Sequence, residues 1–317
     1  MDTILFFAGL AALVVGAELL VRGSSRLAMS FGVSPLVVGL TVVAFGTSSP
    51  ELAVSVGAAL RDTAAVAVGN VVGSNIFNVL FILGAAAMIA PLDVHVQVVR
   101  QELPVMLAVS LALVLMAQDG RLGFGEGVAL LLTMVGYTAF VVIQSRRSSA
   151  ADAAAIGPAA TSSWDRHWSV QLLLVAAGLL LLVLGAEWLV AAATAFARAL
   201  GVSDLVIGLT VVAAGTSLPE VATSLLAAAR GQRDIAVGNV VGSNVFNVLG
   251  CLGATATVAH DGLPVPAAAI DFDLWVMLGA ALLCLPVCIT GRRIGRHEGA
   301  LFVALYCGYT AWIVARA

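Results

Sequence analysis

The sequence predicts an all-α polytopic membrane protein whose ten transmembrane helices form two inverted five-helix repeats. Three observations carry that expectation. Of 317 residues, 61% are hydrophobic and 10% are charged, against about 25% charged in a soluble chain. Ten apolar stretches approach the roughly 20 residues that a bilayer-spanning helix needs. A long motif also occurs twice, 169 residues apart.

The spans are expected at about 3–21, 35–60, 63–90, 103–118 and 122–143, then 169–190, 204–229, 235–259, 273–290 and 299–315. Continuous apolar runs without two-residue alternation choose helices over a barrel. The first run resembles a secretory leader in length, but it lacks a basic start and contains Glu18, so it reads as a span. Residues 144–168, rich in Ala and Ser with Gly157-Pro158, read as a flexible cytoplasmic linker. They join a first repeat, 1–143, to a second, 169–317.

All 15 basic residues are Arg. Placing both termini outside puts eleven on the inner side and leaves Arg61, Arg121, Arg198 and Arg316 outside, which is the orientation that the positive-inside rule selects. The location is then a cell (inner) membrane, crossed many times. Nothing in the charge pattern suggests nucleic-acid binding. Four cysteines lie in the second half, in or near apolar segments, and read as small packed hydrophobes.

The repeat is dense. Gly39 to Glu51 reads GLTVVAFGTSSPE, and Gly208 to Glu220 reads GLTVVAAGTSLPE, agreeing at eleven of thirteen positions. Val66 to Leu80 (VAVGNVVGSNIFNVL) matches Ile235 to Leu249 (IAVGNVVGSNVFNVL) at thirteen of fifteen. The same shift pairs Glu18 with Glu187, and weaker similarity pairs Glu126 with Glu298. Five spans per copy is an odd number, so the second copy enters the membrane from the opposite side. Inverted repeats of this kind characterise secondary transporters, with the site at the repeat interface.

Within that interface, Thr47, Ser48 and Glu51 lie within one turn, as do Thr216, Ser217 and Glu220. A carboxylate deep in a span costs about 2.5–3.5 kcal/mol on insertion scales, so its occurrence twice in a matched motif marks a site. Pro50 and Pro219 remove an N–H and free the carbonyls of Gly46 and Gly215, favouring a helix break. Hydroxyls, carbonyls and carboxylates are hard oxygen ligands, suited to calcium, magnesium or sodium. Asn70, Ser74 and Asn78 share one helix face, as do Asn239, Ser243 and Asn247. Ser74, Asn78, Ser243 and Asn247 point to the ion pathway. For Asn70, Asn75, Asn239 and Asn244, inter-helix hydrogen bonding, worth about 0.6 kcal/mol per contact, is as good a reading as ligation. Glu51 and Glu220 together offer two negative charges, enough for one divalent or two monovalent cations.

The paired GTSSPE and GTSLPE segments, each followed by GNVVGSN and FNVL, resemble the two alpha-repeats of the sodium/calcium exchanger family, in its compact prokaryotic form. The resemblance implies a non-enzymatic secondary antiporter exchanging calcium for sodium, with no cofactor and a monomer sufficient for transport. It implies a central cluster of four cation sites. Glu51 and Glu220 would be the main calcium ligands; Thr47, Ser48, Thr216 and Ser217 would add oxygens, and the carbonyls of Ala44 and Ala213 would complete sodium sites. Ser74 and Ser243 would line the outer sodium sites, and Asn78 and Asn247 the central region. Spans 1 and 6 would slide across the other eight, with Glu18 and Glu187 as structural or gating groups. A proton-coupled divalent antiporter and a passive cation channel are the alternatives. An intramembrane enzyme lacks its motif, since no HExxH or paired Asp is present.

Overall fold

A computed structural model describes residues 2–61, 63–153, 167–199 and 213–315. Helix α1 (Asp2–Phe31) is followed by α2 (Pro35–Thr47) and α3 (Ser49–Ala59), one span bent by 43° at Ser48. Then come α4 (Ala65–Ile89), α5 (Val98–Asp119) and α6 (Phe124–Ala153). The second half holds α7 (Trp168–Ala199), the short α8 (Ala213–Gly215), α9 (Leu218–Ala229), α10 (Arg233–Val258), α11 (Ala269–Ile289) and α12 (Arg296–Val314). Among the described residues, seven helices are long and apolar enough to cross a bilayer, or eight with the bent α2–α3 pair. The expected start of the seventh span, 204–212, and the linker residues 154–166 lie outside the described residues.

Several helices outrun the apolar stretches that predict them. α1 continues past Val21 to Phe31 and ends where Gly32 turns left-handed at φ +62°. Its 30 residues make about 45 Å of helix at 1.5 Å per residue, more than the roughly 30 Å of hydrocarbon. α5 begins five residues early, in a π-helical stretch Val98–Glu102 that hydropathy misses because it carries Arg100 and Glu102. Pro104, just downstream, cannot donate to the carbonyl of Arg100, so the wider π turn accommodates its ring. Residues 144–153, expected as linker, continue α6; their alanines favour helix when nothing interrupts them.

Two-residue strands, too short for any sequence period to reveal, tie the hairpin ends together. β1 (Leu92–Asp93) pairs antiparallel with β4 (Arg293–Ile294), and β2 (Arg121–Leu122) with β3 (Leu263–Pro264). Each ladder joins one repeat to the other, at opposite ends of the bundle. At the first end Arg233 also pairs with Asp93.

α10 is buried along its whole apolar length, α4 along two-thirds of it, whereas α6 faces outward over most of its surface. Glycine permits the close crossings. A Cβ on Gly238 would stand 2.8 Å from the carbonyl oxygen of Leu36, and one on Gly242 2.6 Å from that of Leu40. α1 and α7, counterparts under the 169-residue shift, run antiparallel and touch through Gly9 against Gly185 and Gly16 against Gly178. Counterpart helices running in opposite directions are what an inverted duplication requires.

Candidate functional site

The break in α2–α3 builds the first half of the site. Ser48 leaves helical geometry at φ −84°, ψ 6°, and Ser217 does the same at φ −89°, ψ 6°. Each break is followed by a proline near the start of a new helix, which places Glu51 and Glu220 in the first turns of α3 and α9. The N-terminal end of a helix dipole favours negative charge there. Both carboxylates are buried, at 1% and 0% exposure.

Each glutamate is met by the serine of the opposite repeat. Ser48 Oγ donates to Glu220 Oε1 at 2.8 Å, and Ser217 Oγ donates to Glu51 Oε1 at 2.8 Å. The equality follows from the duplication, but the crossing does not. Ser74 joins this group, its hydroxyl 3.1 Å from that of Ser217. Glu51 and Glu220 are electrostatic neighbours, and the Ser243 and Thr47 hydroxyls face Glu220.

A second tier holds the first in place. Thr47 donates to Asn239 Oδ1 at 3.1 Å and Thr216 to Asn70 Oδ1 at 3.3 Å. The amide of Asn70 donates to Ser55 Oγ and that of Asn239 to Ser224 Oγ, at 3.0 and 2.9 Å. Four asparagines interlock below: Asn78 donates to Asn244 Oδ1 at 3.2 Å and Asn247 to Asn75 Oδ1 at 3.0 Å. The side-chain oxygens of Asn70, Asn75, Asn239 and Asn244 are therefore all accepting hydrogen bonds. For these four, bridging between helices is the role that their contacts describe. π-helical turns begin at Asn78 and Asn247 in both repeats, and such turns recur at functional sites.

Several buried oxygens of the cluster make no hydrogen bond of normal geometry. Glu51 Oε2, Glu220 Oε2, Asn78 Oδ1 and Ser243 Oγ are buried without a hydrogen-bond partner. Buried polar atoms are rarely left so, and carboxylate, amide and hydroxyl oxygens are the donor types that hard cations take. Of the other residues singled out in sequence, the Ala44 carbonyl already accepts the Ser48 N–H at 3.0 Å. Ala213 opens α8. Glu18 lies apart from the cluster, paired with Arg230 at 2.8 Å.

Sequence reasoning overlooked Ser55 and Ser224, and read Cys251 only as a packed hydrophobe. The two serines obey the 169-residue shift and carry that signal, although each lies outside the longest matched blocks. Cys251 is different: its counterpart is Ile82, so the repeat could not point to it. Its thiol faces Asn247 Oδ1 at 3.6 Å and the Ser48 carbonyl at 3.9 Å.

Buried carboxylates and hydroxyls gathered at two facing helix breaks, inside a bundle of spanning helices, define a cation transporter of the membrane. The profile of the family described as sodium/calcium exchanger protein matches residues 1–143 and 170–315. The chain is 38% identical to a putative antiporter, CaxA, of Alkalimonas amylolytica, covering 97% of both proteins. It is 36% identical to the inner membrane protein YrbG of Escherichia coli, over 98% of this chain and 95% of that one. It is 30% identical to the sodium/calcium exchanger MaX1 of Methanosarcina acetivorans, over 95% of each. Among solved structures, the sodium-calcium exchanger NCX_Mj superposes with a TM-score of 0.85 at 32% identity, over 98% of each chain. The chain belongs to the sodium/calcium exchanger family, and it is a membrane antiporter.

Proposed function

We propose that this chain exchanges calcium for sodium by alternating access, with the cations bound between the two repeats. The observation that carries the reading is the set of four buried, unpartnered oxygens on Glu51, Glu220, Asn78 and Ser243. Thr47, Ser48, Thr216, Ser217, Ser74 and Asn247 would add further ligand oxygens, and the Ala44 and Ala213 carbonyls would complete sodium sites. Two carboxylates balance one calcium or two sodium ions, so the ions compete for one charge allotment. That competition makes the transport an exchange.

The remaining membrane plan is part of the same proposal. Ten spans divide into repeats 1–143 and 169–317, the linker is cytoplasmic, and both termini face outside. The chain needs no catalytic group and no cofactor, and one copy holds a full site.

Radioactive calcium uptake into proteoliposomes tests the function. Uptake that requires sodium inside, and that fails with potassium or choline, is the expected result. Uptake driven by a pH gradient alone would replace sodium with protons as the counter-ion. Uptake with neither gradient would overturn exchange in favour of a passive path.

A further inference from the structure

The two repeats correspond residue by residue, yet they do not make the same contacts. α1 packs along α9. There Glu18 pairs with Arg230 at 2.8 Å, and Ser25 Oγ lies 3.5 Å from Gln232 Oε1. The 169-residue shift carries Glu18 to Glu187 and Arg230 to Arg61. The corresponding packing of α7 along α3 is missing from the extended helix contacts of the described residues. Among those residues neither Glu187 nor Arg61 has an ion-pair partner. Burial follows the same division: Thr223 on α9 is 0% exposed, and its counterpart Val54 on α3 is 39% exposed. The helix breaks are also unequal. A Cβ on Gly46 would strike Leu179, and one on Gly215 would strike Val190, both on α7, where an exact two-fold would use α1 for one of them.

A chain built from an inverted duplication has a second arrangement close by, in which each repeat takes up the contacts of the other. In it α7 lies along α3 and α1 leaves α9. The glycine crossings hold α1 and α7 together, since a Cβ at Gly16 would stand only 2.9 Å from the Gly178 carbonyl oxygen. The pair therefore moves as a unit, and its approach to α3 is its departure from α9.

We propose that Glu18–Arg230 and Glu187–Arg61 are alternating latches, each closing one face of the transporter and only one formed at a time. The proposal rests on the alternating-access reading above. It gives a reason for two glutamates on the apolar helices α1 and α7, outside the cation cluster. It also predicts a contact, Glu187 to Arg61, that this structure does not contain. The side chains of Glu18 and Arg230 are 43% and 60% exposed, so the pair binds weakly. A latch that must open in every cycle should bind weakly.

Paired cysteines test it. Cys251, Cys284 and Cys288 are buried and only Cys307 is exposed, so Cys307→Ser is the parent. Glu18→Cys with Arg230→Cys, and separately Glu187→Cys with Arg61→Cys, are treated in proteoliposomes with a short, reducible bis-thiosulfonate linker. The expected result is that both pairs cross-link, that each link stops calcium–sodium exchange, and that reductant restores it. Cross-linking is read by mass, independently of transport. Cross-linking of both pairs in a chain whose parent moves no calcium would support the latch and overturn the choice of ions. Absence of the Glu187–Arg61 cross-link in an exchanging chain would overturn the latch. As a second measure, Glu18→Arg or Arg230→Glu alone should slow exchange about fivefold, and the two together should recover the rate. A double variant as slow as the singles would overturn the pairing.

Discussion

Glu51→Gln removes one negative charge from the cluster while keeping its shape. The amide oxygen can still accept the Ser217 hydroxyl, which stands 2.8 Å from Glu51 Oε1. Glu51 is 1% exposed, so water does not make up for the lost charge. Unit charges about 4 Å apart at an effective dielectric of about 20 interact by roughly 4 kcal/mol. A divalent ion therefore loses roughly 8 kcal/mol where a monovalent ion loses roughly 4. At about 1.4 kcal/mol per tenfold change, calcium affinity falls by roughly six decades and sodium affinity by roughly three. The two-to-one ratio does not depend on the distance or the dielectric, since both divide out of it. The assay is equilibrium binding of radioactive sodium and calcium to purified, monodisperse protein, with uptake into proteoliposomes beside it. Calcium exchange should disappear, and sodium binding should weaken by about half as many decades as calcium binding. Equal weakening of both ions, or exchange near the wild-type rate, would refute a role through charge.

Three further outcomes follow from single contacts. Ser48→Ala and Ser217→Ala each remove a 2.8 Å hydrogen bond to a carboxylate. Such bonds are worth about 1.5–3 kcal/mol, so apparent calcium affinity in uptake titrations should fall roughly 10- to 100-fold, similarly in both variants. A change of less than twofold would contradict this. Gly242→Val would drive a Cβ to 2.6 Å from the Leu40 carbonyl oxygen, whereas a Cβ at Gly279 meets nothing within 4 Å. Overpacking against backbone costs about 1–3 kcal/mol, so the first variant should melt well below wild type in detergent and Gly279→Ala should not. Tyr137→Phe deprives Glu102, fully buried, of a hydroxyl donor at 2.6 Å. It should cost about 1–3 kcal/mol of stability and leave sodium–calcium competition unchanged; altered competition would move Glu102 into the transport path.

Much of this was legible in one dimension. Hydropathy located the helices because bilayer thickness sets their length, and it erred where a helix passes beyond the apolar layer. Arg22 and Arg26 in α1, and Arg100 and Glu102 in α5, disguise turns that are helical nonetheless. The repeat exposed the glutamates and the serines around them, because a costly polar group kept twice at one offset is not chance. It could not expose Cys251, whose counterpart is Ile82. It set Asn78 and Asn247 apart but left the role of Asn70, Asn75, Asn239 and Asn244 open, since Asn70 and Asn78 lie on one helix face and differ only in what stands opposite them. Asn70 Oδ1 receives the Thr216 hydroxyl, and Asn78 Oδ1 receives nothing.

The sequence by itself determined the helical membrane class, the duplication and the family, because span length, polarity and repeated motifs are properties of a chain read in order. Only the tertiary structure decided that Ser48 serves Glu220 and Ser217 serves Glu51, because that depends on how two bent helices face each other. It also decided which latch is closed. A duplicated sequence offers Glu18 to Arg230 and Glu187 to Arg61 on equal terms, and only the packed bundle, with α1 and α7 held together by their glycines, must choose one.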